Sequence, residues 1–169
     1  MKDRITIRKW YWAWEFDKEE AWLGEMAMSG WVLDSVGYAT YHFVRCEPGE
    51  YTVRLELHPA DESYVAFMEE TGAEYLGRMV MWMFFRKKTA DGPFDLFSDT
   101  DSRLAHLSKV GRLLLTFGCL NLFIGILNNA LHGSFVSSMN LLVATLLMYG
   151  LGRIHGMKDA LEKERLLHE

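Results

Sequence analysis

The sequence predicts an α+β domain with the element order βαββαβ, followed by a two-helix transmembrane hairpin. Three observations support this architecture. Segments within the first hundred residues alternate apolar and polar side chains as strands do, and two helical segments there end at a glycine. Residues 113–152 contain no Asp, Glu, Lys or Arg, which is typical of membrane-spanning helices.

The first strand and the first helix are predicted within residues 7–30. In IRKWYWAWEF the aromatic side chains at positions 10, 12, 14 and 16 alternate with those at 9, 11, 13 and 15, so we expect a strand that buries Trp12. Asp17 and Glu20 have the spacing of a capping box, and EEAWLGEMAMS follows. Gly30 is placed to end this helix.

Two paired strands are predicted next. Residues 31–45 are rich in aromatic and β-branched side chains, with Gly37 as a point where the strand could be interrupted. YTVRLEL, residues 51–57, alternates cleanly, and EPGE before it is a turn signal. These two runs are therefore predicted to form a hairpin.

A second helix, residues 63–71, and one long strand, residues 74–88, complete the domain. Both helices share a spacing of four and four residues: Trp22, Met26 and Gly30 in the first, Tyr64, Met68 and Gly72 in the second. Each half is then one βαβ unit, which is the plan of a ferredoxin-like fold. Most of the aromatic side chains would fill the layer between the sheet and the helices. The uncovered sheet face is the candidate partner-binding face: Tyr11, Arg54, Glu56 and Trp82.

The C-terminal part is predicted to cross the cell membrane twice, at residues 113–132 and 135–151. Lys and Arg flank both ends and are absent from the turn at Gly133 and Ser134, so both termini are expected in the cytoplasm. The predicted divisions are a domain at 1–96, a juxtamembrane segment at 97–112, the hairpin at 113–152 and a cytoplasmic amphipathic tail at 153–169. A buried helical hairpin in a soluble oligomer is the alternative.

Polar residues within the spans predict helix–helix contact. Gly118, Asn121 and Gly125 share one side of the first span, and Asn140 on the second span is a candidate partner. This pattern is compatible with packing inside the hairpin or with self-association into a homo-oligomer.

Charge and missing motifs narrow the class of function. Residues 1–100 hold 18 of the 23 acids and 11 of the 18 bases, a net charge of −7, which argues against nucleic-acid binding. No dinucleotide, P-loop, HExxH or GxSxG pattern occurs, and the histidines are scattered. We therefore expect no enzyme activity, catalytic residue, metal site or cofactor.

The chain resembles a bacterial family, the domain of unknown function numbered 2812. The resemblance rests on EEAWLGEMAMSGWVL, on GYATYHF with YTVRLEL, and on WMFFRKK followed by LFSDTDSR, and it covers roughly residues 8–103. It implies a cytoplasmic sensory or regulatory domain on a membrane anchor, in genes that often neighbour PadR-type regulators. It implies no catalytic residues.

Two functions are therefore predicted. The first is a membrane-anchored regulatory or interaction protein whose cytoplasmic domain binds a protein partner. The second is an oligomeric small membrane transport or channel component, in which the cytoplasmic domain controls assembly.

Overall fold

The structure, a computed structural model, describes residues 3–97, 99–132 and 135–168, without the side chains of residues 132, 135–137 and 168. The chain divides into two compact units, residues 1–98 and 99–169. The first is a mixed α+β unit, and the second consists of two long helices.

The elements of the first unit are short. They are β1 (Arg4–Arg8), α1 (Phe16–Met28), β2 (Trp31–Gly37), β3 (Thr40–Arg45), β4 (Tyr51–Leu57), α2 (Glu62–Glu70), β5 (Glu74–Met79) and β6 (Trp82–Lys88), followed by a 3-10 turn at Thr89–Asp91. They form two antiparallel three-stranded sheets, ordered β1-β3-β2 and β4-β6-β5. The unit is therefore a βαββ arrangement that occurs twice.

The two halves match position for position from the end of the helix through the hairpin. Gly30 and Gly72 end the two helices with φ of 85° and 86°. Both halves also place a register shift at the same point of the hairpin, between Leu33 and Ser35 in β2 and between Tyr75 and Gly77 in β5. The short helical spacing seen in the sequence thus belongs to a complete structural duplication.

The predicted single sheet of βαββαβ order is wrong because both long strands fold back on themselves. Residues 31–45 form the hairpin β2–β3 around Tyr38 and Ala39, and residues 74–88 form β5–β6 around Val80 and Met81. Strand β4 pairs with β6 rather than with β3. The hairpin of the first half leaves β3 paired on both sides, by β1 and β2. Strand β3 therefore has no free edge with which β4 could pair.

The predicted strand at residues 7–16 is wrong beyond Arg8, because β1 lies earlier in the chain and ends there. After Lys9 donates its backbone N–H to Ala39 O at 3.1 Å, the chain leaves the sheet. It turns through a 2.8 Å bond from Glu15 N to Trp12 O. Trp12 is 41% exposed, whereas Trp14 is 4% exposed and stacks on it at 5.1 Å between ring centroids. The alternating aromatics therefore stack along a turn, and Trp14, not Trp12, belongs to the core.

Helix α1 packs against strands of both sheets, β2 and β4. It buries Leu23 and Ala27, and Glu20 Oε2 accepts the backbone N–H of Leu55 at 3.3 Å. That carboxylate satisfies a donor on the outer edge of β4, where it would otherwise be open to another strand.

Strands β2 and β5 lie side by side without a hydrogen-bonded ladder. A Cβ at Gly77 would lie 3.3 Å from Val36 Cγ2, and Ala39 N lies 3.3 Å from Met79 Sδ. Val36 is next to Gly77, and Ala39, further along the chain, is next to Met79, so β2 and β5 run in the same direction. Both hairpin tips therefore lie at the same end of the unit.

The second unit is an antiparallel pair, α3 (Thr100–His132) and α4 (Phe135–His168). Buried glycines recur every seven residues along α3, at Gly111, Gly118 and Gly125. A Cβ at these positions would meet Ile154, Met148 and Leu141 of α4, respectively. The helices pack along a heptad seam whose small residues allow close approach.

Among the described residues, one helix, Thr100–Leu131, is long and apolar enough to cross a membrane, which is compatible with a membrane location. Its most apolar window is only 28% buried.

Candidate interaction surfaces

The predicted partner face does not form one exposed surface. Trp82 is 8% exposed and stacks on Phe16 at 5.2 Å between ring centroids. Arg54 Nη1 lies 3.4 Å from Glu20 Oε1, and Glu56 accepts a hydrogen bond from the Tyr64 hydroxyl.

Tyr11 of that face is also engaged within the fold. Its ring packs against Trp22 at 5.9 Å, and the Lys9 ammonium lies 4.9 Å from its centroid. Side chains of α1 and α2 thus cover the face that sequence periodicity left open.

An open groove of about 410 Å³ lies between α2 and β5, and we call it the acidic groove. Its floor includes Val65, Tyr75 and Met83, and its remaining lining residues are Ala60, Asp61, Glu62, Ala66, Glu69 and Arg78. Three carboxylates against one guanidinium make its rim net negative.

Asp61 starts α2 and fixes one wall of the acidic groove. Its Oδ1 accepts the backbone N–H groups of Ser63 at 2.9 Å and Tyr64 at 3.3 Å, a regular N-cap. The hydrogen bond from the Ser63 hydroxyl, together with these backbone bonds, holds the Asp61 pKa below its usual value. The carboxylate is therefore ionised at neutral pH.

A second surface lies at the end of the unit where the hairpin tips meet, and we call it the hairpin-tip surface: Trp10, Trp12, Tyr38, Val80 and Met81. All five side chains are exposed. The Trp10 ring lies 5.8 Å from both the Trp12 and the Tyr38 rings. An open depression of about 510 Å³ is lined here by Arg8, Lys9, Trp10, Tyr38, Ala39 and Thr40.

A buried acid is the functional group that sequence periodicity missed. Glu19 is 4% exposed, and its Oε1 accepts the hydroxyl proton of Tyr41 at 2.6 Å. Burial raises the Glu19 pKa to about 7, against the opposing effect of the Tyr41 hydrogen bond. The signal was the spacing Glu19, Leu23, Ala27, which puts the acid on the buried side of α1. In the described parts of the chain, no group of three or more His, Cys, Asp or Glu residues could hold a metal ion.

The candidate helix–helix residues lie along the α3–α4 seam. Gly118 and Gly125 face α4, and Asn140 Cβ would lie 3.3 Å from a Cβ at Gly125. Asn121 donates its amide to Phe117 O at 2.8 Å, within α3. Packing inside the hairpin accounts for both glycines, and self-association stays a prediction.

The chain belongs to the family described as "Protein of unknown function (DUF2812)", whose model matches residues 15–119. The family resemblance is thereby confirmed. The matched segment contains the acidic groove and the N-terminal part of α3, whereas Trp10 and Trp12 precede it. No curated protein and no solved structure matches the chain.

Proposed function

We propose that this protein is a membrane-anchored regulatory or interaction protein, with no catalytic role, whose α+β unit binds a protein partner at the acidic groove. The main support for membrane anchoring is that the α3–α4 pair has polar residues at its helix contact and apolar residues on its outer surface, the reverse of a soluble helix pair. Its seam contains glycine and asparagine, whereas its outer surface exposes large apolar side chains: Leu115, Phe117, Leu120, Phe123, Ile126, Leu127, Met139, Leu142 and Val143. Helices in lipid pack with small residues at their contact and keep bulky apolar residues outside.

This arrangement supports two spans, with both termini in the cytoplasm. Residues 113–152 are free of charged side chains, and basic residues stand on either side of that stretch. The test is cysteine labelling in intact cells with a membrane-impermeant maleimide, in a chain without Cys46 and Cys119. Ser134→Cys should be labelled, and Leu167→Cys only after lysis. Labelling of Leu167→Cys alone would reverse the orientation, and recovery of the chain outside the membrane fraction would reject the anchor.

The acidic groove supports a partner of defined chemistry, namely a cationic segment with apolar side chains. Glu62 and Glu69 are exposed on the same side of α2, above an apolar floor. Ala66 between them keeps the centre of the groove open. Opposite charges at such a rim accelerate association and fix the orientation of a bound segment.

Photocrosslinking in cells tests this partner. A benzophenone amino acid replaces Ala66 in the groove, and the same substitution at exposed Ala90 is the control. We expect one discrete product from position 66, containing a basic segment of another protein, and none from position 90. Glu69→Lys should abolish the product, whereas Glu70→Lys, next to it but outside the groove lining, should retain it. Equal products at both positions, or insensitivity to Glu69→Lys, would refute the groove as the binding site.

A further inference from the structure

The two hairpin tips carry apolar residues where polar ones are usual. Two-residue hairpin loops favour Asn, Asp and Gly, because a residue there takes a positive φ. Here the loops are Tyr38-Ala39 and Val80-Met81, with φ of 48° at Ala39 and 57° at Val80. A β-branched residue in this conformation is a true outlier. Tyr38 is 75% exposed and Val80 is 69% exposed, so neither is there to fill the core.

Two tryptophans lie on the same surface as the hairpin tips. Trp10 is 50% exposed and contacts Tyr38, and Trp12 contacts Trp10. The surface is thus a row of protrusions, two tips and an aromatic turn, rather than a closed pocket. Such a shape suits a soft, deformable layer better than a folded partner with a fixed outline.

The local charge is opposite to that of the unit as a whole. Arg8 and Lys9 line the depression beside Trp10, and its six lining residues include no acid. Residues 1–100 carry a net charge of −7. Glu15, whose Oε2 accepts the backbone N–H of Trp12 at 3.4 Å, is paired with Lys18 at 2.7 Å. Basic side chains beside exposed Trp and Tyr are the combination that binds the interface of an anionic bilayer.

We propose that the hairpin-tip surface docks onto the headgroup region of a bilayer that contains anionic lipid. The proposal rests on the membrane anchoring stated above, because a tethered domain meets the bilayer at high effective concentration and needs little intrinsic affinity. Trp10, Trp12 and Tyr38 would lie at the level of the headgroups, Val80 and Met81 would enter the upper acyl region, and Arg8 and Lys9 would contact lipid phosphates.

The positions of the tryptophans make a direct test available. All six lie between residues 10 and 82, so the tryptophan fluorescence of the full chain reports the α+β unit alone. The full chain is placed in nanodiscs with a tryptophan-free scaffold protein, one chain per disc, with phosphatidylcholine brominated near the top of one acyl chain, with and without phosphatidylglycerol. We expect bromine-dependent quenching that is stronger with phosphatidylglycerol and weaker at high salt.

Variants separate docking from unfolding. The double variant Trp10→Phe, Trp12→Phe should lose most of the quenching, whereas Trp31→Phe, at the start of β2 and the opposite end from the tips, should retain it. Tyr38→Asn with Val80→Asn is a second, fold-compatible variant, because Asn accepts a positive φ, and it should also lose quenching.

Three outcomes would overturn the proposal. The first is an absence of bromine-dependent quenching while the chain sits in the disc. The second is an equal loss in the Trp31→Phe control. The third is a discrete protein crosslink from position 38 in cells, which would assign the surface to a protein. None of these outcomes affects the cysteine-labelling result for the two helices. The proposed membrane anchor and the proposed docking surface are therefore tested independently.

Discussion

Glu19 provides a quantitative test of the fold. Its carboxyl lies in the core of the α+β unit, with the Tyr41 hydroxyl as a neutral partner. Burial without a cationic partner favours the protonated acid, and the Glu19 pKa rises from 4.5 to about 7. The unfolded chain loses this proton near pH 4.5, and the folded chain loses it near pH 7.

The direction of the pH effect follows from that difference. Between the two pKa values the folded state binds more protons than the unfolded state, so the free energy of unfolding falls as pH rises. Below pH 4.5 the penalty is absent, and above about pH 7 it is fully present. A shift of this size corresponds to about 3 kcal/mol. In a domain of this length that is a change in melting temperature of roughly 10 °C or more.

Glu19→Gln isolates this contribution. Glutamine keeps an acceptor for the Tyr41 hydroxyl but cannot ionise, so the variant should lie within about 1 kcal/mol of the wild type at pH 5 and exceed its stability by about 3 kcal/mol at pH 8. Tryptophan fluorescence of the full chain in mild detergent follows the melting of the α+β unit. Glu20→Gln is the matched control. The Glu20 carboxylate is next to Glu19 in the sequence, but it binds Arg54 and Leu55 N and lies partly in solvent. That control should not remove the difference between pH 5 and pH 8. Parallel pH profiles for the wild type and Glu19→Gln would refute the argument.

The remaining predictions concern packing and backbone strain. Trp14→Ala should destabilise the unit by about 3–5 kcal/mol, and Trp12→Ala by clearly less; equal losses on denaturant unfolding would reverse our assignment of the core residue. Gly125→Leu should weaken the helical hairpin by about 1–3 kcal/mol, because a Cβ there lies 2.9 Å from Leu141 Cδ2. Gly156→Leu, with nothing within 4 Å, should not weaken it on unfolding in detergent followed by circular dichroism. Val80→Gly should stabilise the unit by about 1 kcal/mol by releasing a positive φ, and an unchanged or lowered melting temperature would contradict that strain.

Local features of this chain were predictable from sequence because they depend on neighbouring residues. Glycines follow both helices at Gly30 and Gly72, where a positive φ stops each helix. YTVRLEL forms β4 as its alternation requires. The stretch without charged residues became paired long helices, one of them with the length and hydropathy of a membrane span.

Strand pairing was decided by tertiary structure. The hairpin turns Tyr38-Ala39 and Val80-Met81 contain none of the usual turn residues, so each hairpin looked like one strand. Because each hairpin closes within its own half, β4 pairs with β6, and one predicted sheet becomes two.

The candidate surfaces depend on the same long-range contacts. The alternation at residues 10–16 has the period of a strand, yet Trp12 and Trp14 stack in a turn. A period of two in the sequence therefore does not by itself establish a paired strand. Sequence periodicity assigns faces only when the element is known. The burial of Glu19, the covering of Arg54 and Glu56 by helices, and the meeting of two hairpin tips at one end arise from packing between segments that are far apart in the chain.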